Sequence, residues 1–319
     1  MRSLALLIPG FVALAACTST ITADTPATLP PVSGASTTTS STTSTSTSTT
    51  TTLPVVDTTI APTTTVAGID PTLADIEDEW CATLAPGSIG FRNNTGTLAD
   101  EYRPIGTSTE GRTIWAEHWG STTGPQVLVL GQVHGDECAP AFMVQAIREV
   151  PPEDFGIWIV PTVNPDGLAA HSRRTATNTD PNRDGFDLTT PEATAVMNFT
   201  AALQPILTVH LHSPYKWVGQ HNGAWEVATA MSVAAGWPGP HNAGRVESGT
   251  LAFLWEGQER VIPGHQSVLV EFPSISPLEA PDVPDPAQRV EGTVGEVTIA
   301  AVLMRDALYD AISNPPVAG

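Results

Sequence analysis

Residues 18–69 are almost entirely Thr, Ser, Pro, Ala and Val, with runs such as Thr37-Thr38-Thr39 and Thr49-Thr50-Thr51-Thr52. Prolines stand at 26, 30, 31, 54 and 62, and neither a helical nor a strand period runs through the stretch. Such a segment cannot bury enough apolar surface to offset the entropy of ordering it. The fold must therefore be built elsewhere. What remains beyond it, residues 70–319, is about 250 residues, enough for one domain with a sizeable core. As a flexible chain the ~50-residue stretch spans about 40 Å, and as polyproline II it reaches on the order of 150 Å. It reads as a tether.

The segment before the tether reads as an address. Met1-Arg2-Ser3 is a short positive start, and Leu4 to Ala16 is apolar but broken by Pro9 and Gly10. That is too short for an ordinary membrane span and fits a secretory signal. Leu14-Ala15-Ala16-Cys17 resembles the bacterial lipobox, in which small residues precede a cysteine that is lipidated and becomes the new N-terminus. The expected organisation is a lipoprotein signal at 1–17, a disordered linker at 18–69 and a catalytic domain at 70–319. The expected location is the extracytoplasmic face of the cell envelope, with membrane contact through the lipid on Cys17 alone. The alternative is a plain signal peptide whose cleavage site contains Cys17.

Charge removes one class of function. The formal net charge is −20 and Lys216 is the sole lysine, whereas gripping a nucleic-acid backbone takes clustered Lys and Arg. Three cysteines are too few for a disulfide scaffold or a Cys-based zinc cluster. After processing, Cys81 and Cys138 remain, either bridged, as an oxidising compartment allows, or as two buried thiols.

Within the domain, short apolar runs alternate with helical patterns. Gln126–Leu130, Gly156–Val160, Leu207–His212 and Ser267–Phe272 read as strands. Glu137–Val150, Pro191–Leu203 and Val297–Ile312 read as helices. Alternation of this kind predicts an α/β sandwich on a mostly parallel sheet, with ligands beyond the C-terminal ends of the strands.

The polar residues at those ends carry the chemistry. His134-Gly135-Asp136-Glu137 follows the first apolar run, and its H-x-x-E spacing lets an imidazole and a carboxylate enter one crevice. A third ligand on another strand end completes the open site typical of catalytic zinc. His212, just before Ser213-Pro214, is the expected third ligand. His210 shares its strand face and is the competitor, with a core or supporting role as its alternative. Glu271 is a lone carboxylate in an apolar strand, costly unless paired or beside a metal. It reads as a general base facing a water, or as half of an arginine ion pair. Asn164-Pro165-Asp166-Gly167 reads as a turn. Asn182 with Arg183 reads as a clamp for a substrate carboxylate, because guanidinium forms a bidentate fork, or else the arginine is a surface charge offsetting an acidic protein.

H-G-D-E, N-P-D-G, R-R-x-x-x-x-x-D-P-N-R, H-S-P and V-E-F-P, in that order, resemble the zinc carboxypeptidase family. Ile105–Ile114 is similar to the segment that precedes the family's first core strands, and Val270–Ser276 to its murein-peptide amidase branch. The resemblance implies a three-layer α/β/α sandwich around a mixed, mostly parallel sheet. It implies one Zn²⁺ on His134, Glu137 and His212, with Glu271 as base and acid. It further implies that Asn182 and Arg183 hold the substrate's terminal carboxylate. Arg173, or alternatively Arg174, would stabilise the oxyanion, and Asp180 would accept a hydrogen bond from a zinc-bound imidazole. The family's usual mobile-loop tyrosine has no counterpart; Tyr215 follows the zinc histidine too closely. Residues 215–266 would shape a specificity pocket, with Trp217, Trp225, Trp237 and Trp255 either contacting substrate or packing in the core.

Three functions compete on these grounds. The first is hydrolysis of an amide beside a carboxylate in a cell-wall (murein) peptide. The second is deacylation of N-acyl amino acids, as in the desuccinylase and aspartoacylase group. The third is a catalytically dead binding module.

Overall fold

The computed structural model describes residue 81 and residues 96–242, 253–281 and 286–315, all within one compact unit spanning 52–319. The expected signal segment at 1–17, with Cys17, and the expected linker at 18–69 lie outside the described residues.

Among the described residues eight strands form one sheet: β1 (Glu101–Thr107), β2 (Thr113–Gly120), β3 (Gln126–Leu130), β4 (Gly156–Val160), β5 (Leu207–His212), β6 (Tyr215–His221), β7 (His241–Asn242) and β8 (Gln266–Pro273). Their order is β1-β2-β4-β3-β5-β8-β6-β7. The four pairings β3–β4, β3–β5, β5–β8 and β6–β7 are parallel, and the other three are antiparallel. The helices are α1 (Pro140–Glu149), α2 (Pro165–Ala170), α3 (Pro191–Leu203), α4 (Trp225–Ala235), α5 (Leu254–Val261) and α6 (Val294–Ser313). Among the described residues no helix is long and apolar enough to cross a membrane.

Strand alternation sorts the side chains into two layers. Val127, Val129, Ile157, Ile159, Val209, Val268 and Val270 pack with residues of α1, α4 and α6 on one face. Leu128, Leu130, Trp158 and Val160 pack with α3 and with Leu254 of α5 on the other. Each fully buried side chain of this size is worth about 1.5–3 kcal/mol, so these layers hold the α/β/α sandwich together.

Local chemistry explains the helix starts. Pro140, Pro165 and Pro191 each occupy a first turn, where a missing N–H costs nothing. Thr190 caps α3 and Thr293 caps α6 by accepting from the backbone N–H three residues on. The predicted helix from Glu137 begins instead at Pro140, so Glu137 sits in the loop before it. The Asn-Pro-Asp-Gly segment is not a plain turn. Asn164 caps α2, accepting from Gly167 N–H at 2.9 Å.

Two hairpin-like additions were not foreseen. β1 and β2 pair antiparallel at one edge, and β6 folds back antiparallel on β8. Gly106 in β1 is needed where α3 crosses, since a Cβ there would strike Ala195. Cys81 and Cys138 form a disulfide packed against Leu168 and Ile275.

Candidate metal centre

The site lies where β3, β5 and β8 end. In the parallel ladder His212 of β5 is in register with Glu271 of β8, which sets them on neighbouring strands about 4.8 Å apart and facing the same side. β3 flanks β5 on the other edge. Beyond it the backbone turns at Gln132, whose φ is +39°. Thr162 Oγ1 donates to Gln132 Oε1 at 2.6 Å. The next turn closes through Glu137 N–H donating to the His134 carbonyl at 3.3 Å, so two side chains three residues apart face one point. Gly135 makes this possible. Any side chain there would strike the backbone of Gly167 and Leu168, so the H-G-D-E loop rests directly on α2.

His134, Glu137 and His212 each offer one ligand atom, and these atoms lie within 4.8 Å of one another. All three residues are buried. His134 Nδ1 stands 2.7 Å from Glu137 Oε1, and His212 Nδ1 stands 3.0 Å from Glu137 Oε2. The two Nδ1 atoms are 3.2 Å apart. Two imidazole nitrogens and an acid converging this closely, away from water, are matched by a shared dication, and the His₂Glu donor set suits zinc. The residues fit the metal. His210 stays out of the cluster: its Nε2 lies 2.8 Å from Gln258 Oε1, and burial pushes its pKa down to about 3.

Asp180 organises the rim. Its Oδ1 accepts from Asn182 N–H at 2.9 Å and lies 3.2 Å from His134 Nε2. Its Oδ2 accepts from Arg173 Nε and Nη2, both at 2.9 Å. Burial would raise the Asp180 carboxyl, but His134 and Arg173 hold it far below the usual range. Burial likewise opposes ionisation of Glu137, and the two histidines overcome it and lower its pKa.

Arg173 reaches the cluster itself, with Nη1 3.2 Å from His134 Nδ1 and 3.7 Å from Glu137 Oε1. Arg174 is exposed and donates to the Asn178 carbonyl at 3.2 Å, turned away from the donors. Asn182 is buried; its Oδ1 accepts from Leu254 N–H at 3.3 Å, and Nδ2 lies 3.5 Å from His212 Nε2. Its side chain therefore joins the site to the start of α5. Arg183 stacks on Phe253, 4.1 Å from its ring centre.

Glu271 is 8% exposed, and its Oε2 is buried with no hydrogen-bond partner. Burial first, then the Glu137 charge, pushes its pKa well above the ordinary carboxylate value, against the pull of Arg173 and Arg183. An acid so placed is ready to exchange a proton. Trp217 is in register with Glu271 on β6, Trp255 stacks on Phe253, and Trp237 belongs to the core against Phe272. Trp225 is exposed on α4.

Asp166 was read as part of a turn and does more. It accepts from Ser108 Oγ at 2.6 Å, Glu110 N–H at 2.8 Å and Arg112 Nη1 at 2.7 Å, which docks the Ile105–Ile114 segment onto α2. These two motifs form scaffold beneath the site.

A sequence model of the zinc carboxypeptidase family matches residues 100–223. A metallo-carboxypeptidase from Burkholderia cenocepacia superposes with a TM-score of 0.52 at 18% identity, over 67% of this chain and 64% of that one. Carboxypeptidase A from Helicoverpa armigera gives 0.51 at 15% identity, over 67% and 69%. A murein-tripeptide amidase from Escherichia coli O157 gives 0.47 at 18%, over 65% and 94%. The chain spans less than two thirds of the Burkholderia enzyme's length. No curated protein matches the sequence. The structural likenesses show the fold, and the stretch that is similar to the zinc carboxypeptidase model, residues 100–223, contains the H-x-x-E loop and the second histidine.

Proposed function

We propose that this protein is an envelope-anchored zinc hydrolase that cleaves an amide bond beside a carboxylate, in cell-wall (murein) peptides. The observation that carries the reading is the buried Glu271 carboxylate, whose Oε2 has no hydrogen-bond partner, beside three converging ligand atoms. When bound by His134, Glu137 and His212, zinc supplies a Lewis acid that polarises the scissile carbonyl.

The chain's own groups do the rest. Glu271 takes the proton from the attacking water, and its raised affinity for protons suits it to keep that proton until the leaving nitrogen needs it. Arg173, aimed at the donors and braced by Asp180, stabilises the negative charge that develops on the carbonyl oxygen. Arg183, flat on Phe253, and Asn182 orient the substrate carboxylate, so that binding energy is spent on alignment. The lipobox-like Cys17 and the 18–69 tether support action in the cell wall, as does the likeness of Val270–Ser276 to the murein-peptide amidase branch.

The test is to incubate the protein with a γ-linked murein tripeptide and, separately, with an N-acyl amino acid, and to weigh the products. Cleavage of the tripeptide that a strong chelator abolishes is expected. Cleavage of the N-acyl amino acid alone would replace this reading with a deacylase, and activity indifferent to the chelator would end the metal mechanism.

A further inference from the structure

Glu279 lies outside every motif above, in the loop after β8, yet it is wholly buried. Its Oε1 accepts from Ala139 N–H at 2.8 Å and from Ser213 Oγ at 2.7 Å. Its Oε2 accepts from Ile275 N–H at 2.8 Å, with Ser274 Oγ at 3.5 Å. These donors come from three separate segments. Ala139 is two residues beyond Glu137, Ser213 adjoins His212, and Ser274 and Ile275 are three and four residues beyond Glu271.

The acid is itself held in place. Ala280 N–H donates to the Asp136 carbonyl at 3.0 Å. Arg289 donates to the Glu279 and Ala280 carbonyls and to Ser274 Oγ and the Ser276 carbonyl. Burying a carboxylate is costly unless charge-assisted hydrogen bonds replace its water, and here each oxygen has donors. A simple packing role would not need an acid whose donors all follow a proposed metal ligand or the proposed base.

We propose that Glu279 is a positioning residue that fixes Glu137, His212 and Glu271 relative to one another. It touches neither metal nor substrate. The inference rests on the reading that His134, Glu137 and His212 hold zinc. Glutamine at this position would keep one acceptor oxygen and turn an NH₂ group toward donors, releasing one of the tied segments.

The test uses the full-length protein, stripped of metal and titrated with zinc against a chromophoric chelator. Glu279→Gln is expected to raise the zinc Kd by about tenfold or more, the range seen when a group supporting a ligand is lost. At saturating zinc its kcat should fall while KM stays within about twofold. Ser213→Ala removes one donor, leaves the carboxylate, and should raise the Kd about threefold; it decides the matter should Glu279→Gln fail to fold. Zinc affinity and kcat unchanged in the variants, even with a lowered Tm, would overturn the proposal and leave Glu279 a purely structural residue. Wild-type protein that binds no zinc would instead overturn the metal site, and the proposal with it.

Discussion

β5 and β8 each present two faces, and the faces differ in kind. Toward α1, α4 and α6 they show Leu207, Val209, Leu211, Val268, Val270 and Phe272, all in one apolar cluster. Toward α3 and α5 they show Thr208, His210, His212, Ser267 and Glu271, equally buried but polar, with Leu269 among them. The first face is held by area removed from water and tolerates no gap. The second holds groups that water would otherwise solvate, and several of its atoms lack partners: His210 Nδ1, Ser267 Oγ and Glu271 Oε2. Stability resides on one side of a strand and chemistry on the other, one residue apart.

The Glu117–Arg148 pair is a useful contrast. Both residues are fully buried, and they meet as a fork at 2.7 and 3.1 Å. A buried pair so completed is structural. Glu271 is buried without such a partner, which is why it reads as functional.

Neighbouring substitutions on β8 should separate the two faces most sharply. Glu271→Gln is expected to lower kcat by roughly 10²–10⁴-fold while zinc content and Tm stay at wild-type values. Phe272→Ala, next in sequence, should cost about 3–5 kcal/mol in denaturant unfolding and leave kcat per folded molecule unchanged. A Glu271→Gln protein that is fully active, or a Phe272→Ala protein that is inactive but stable, would break the division.

The next effect concerns the oxyanion. Arg173→Ala should lower kcat by about 10²–10³-fold, as loss of a single charge-stabilising donor does. A pH effect of about 3 kcal/mol follows from His265, which burial, assisted by His221, lowers from 6.5 to about 4. The folded state keeps His265 neutral, hydrogen-bonded with Thr208 Oγ1 at 2.8 Å, while the unfolded chain takes up a proton below about 6.5. Stability is therefore full above that pH and is lost as pH falls toward 4. Unfolding curves for His265→Gln should show a flatter acid slope across this window; an unchanged slope would reject the assignment. The smallest effect is at Arg174, whose replacement by alanine should leave kcat/KM within about twofold.

The sequence made some of this legible for physical reasons. The short apolar runs Leu207–His212 and Ser267–Phe272 announced both strands, and the period of two put His210 and His212 on one face. The two histidines of the first run and the lone Glu of the second therefore stood out. β1 did not, because Glu101-Tyr102-Arg103-Pro104 is a half-exposed edge strand with an irregular register near Pro104. Glu279 gave no signal at all. In Ser-Pro-Leu-Glu-Ala-Pro it resembles any solvated loop acid, and only the convergence of three distant loops buries it. Asn182 was read as facing substrate, yet its amide also anchors α5 through Leu254, a contact across 72 positions of sequence.

The central claim is that His134, Glu137 and His212 hold one ion beside Glu271. Anomalous diffraction at the zinc edge, from crystals of protein loaded with one equivalent of zinc, tests it directly. The account predicts a single peak about 2.0–2.2 Å from His134 Nδ1, His212 Nδ1 and a Glu137 carboxylate oxygen. Zinc found on other residues, or no peak at these three, would contradict it.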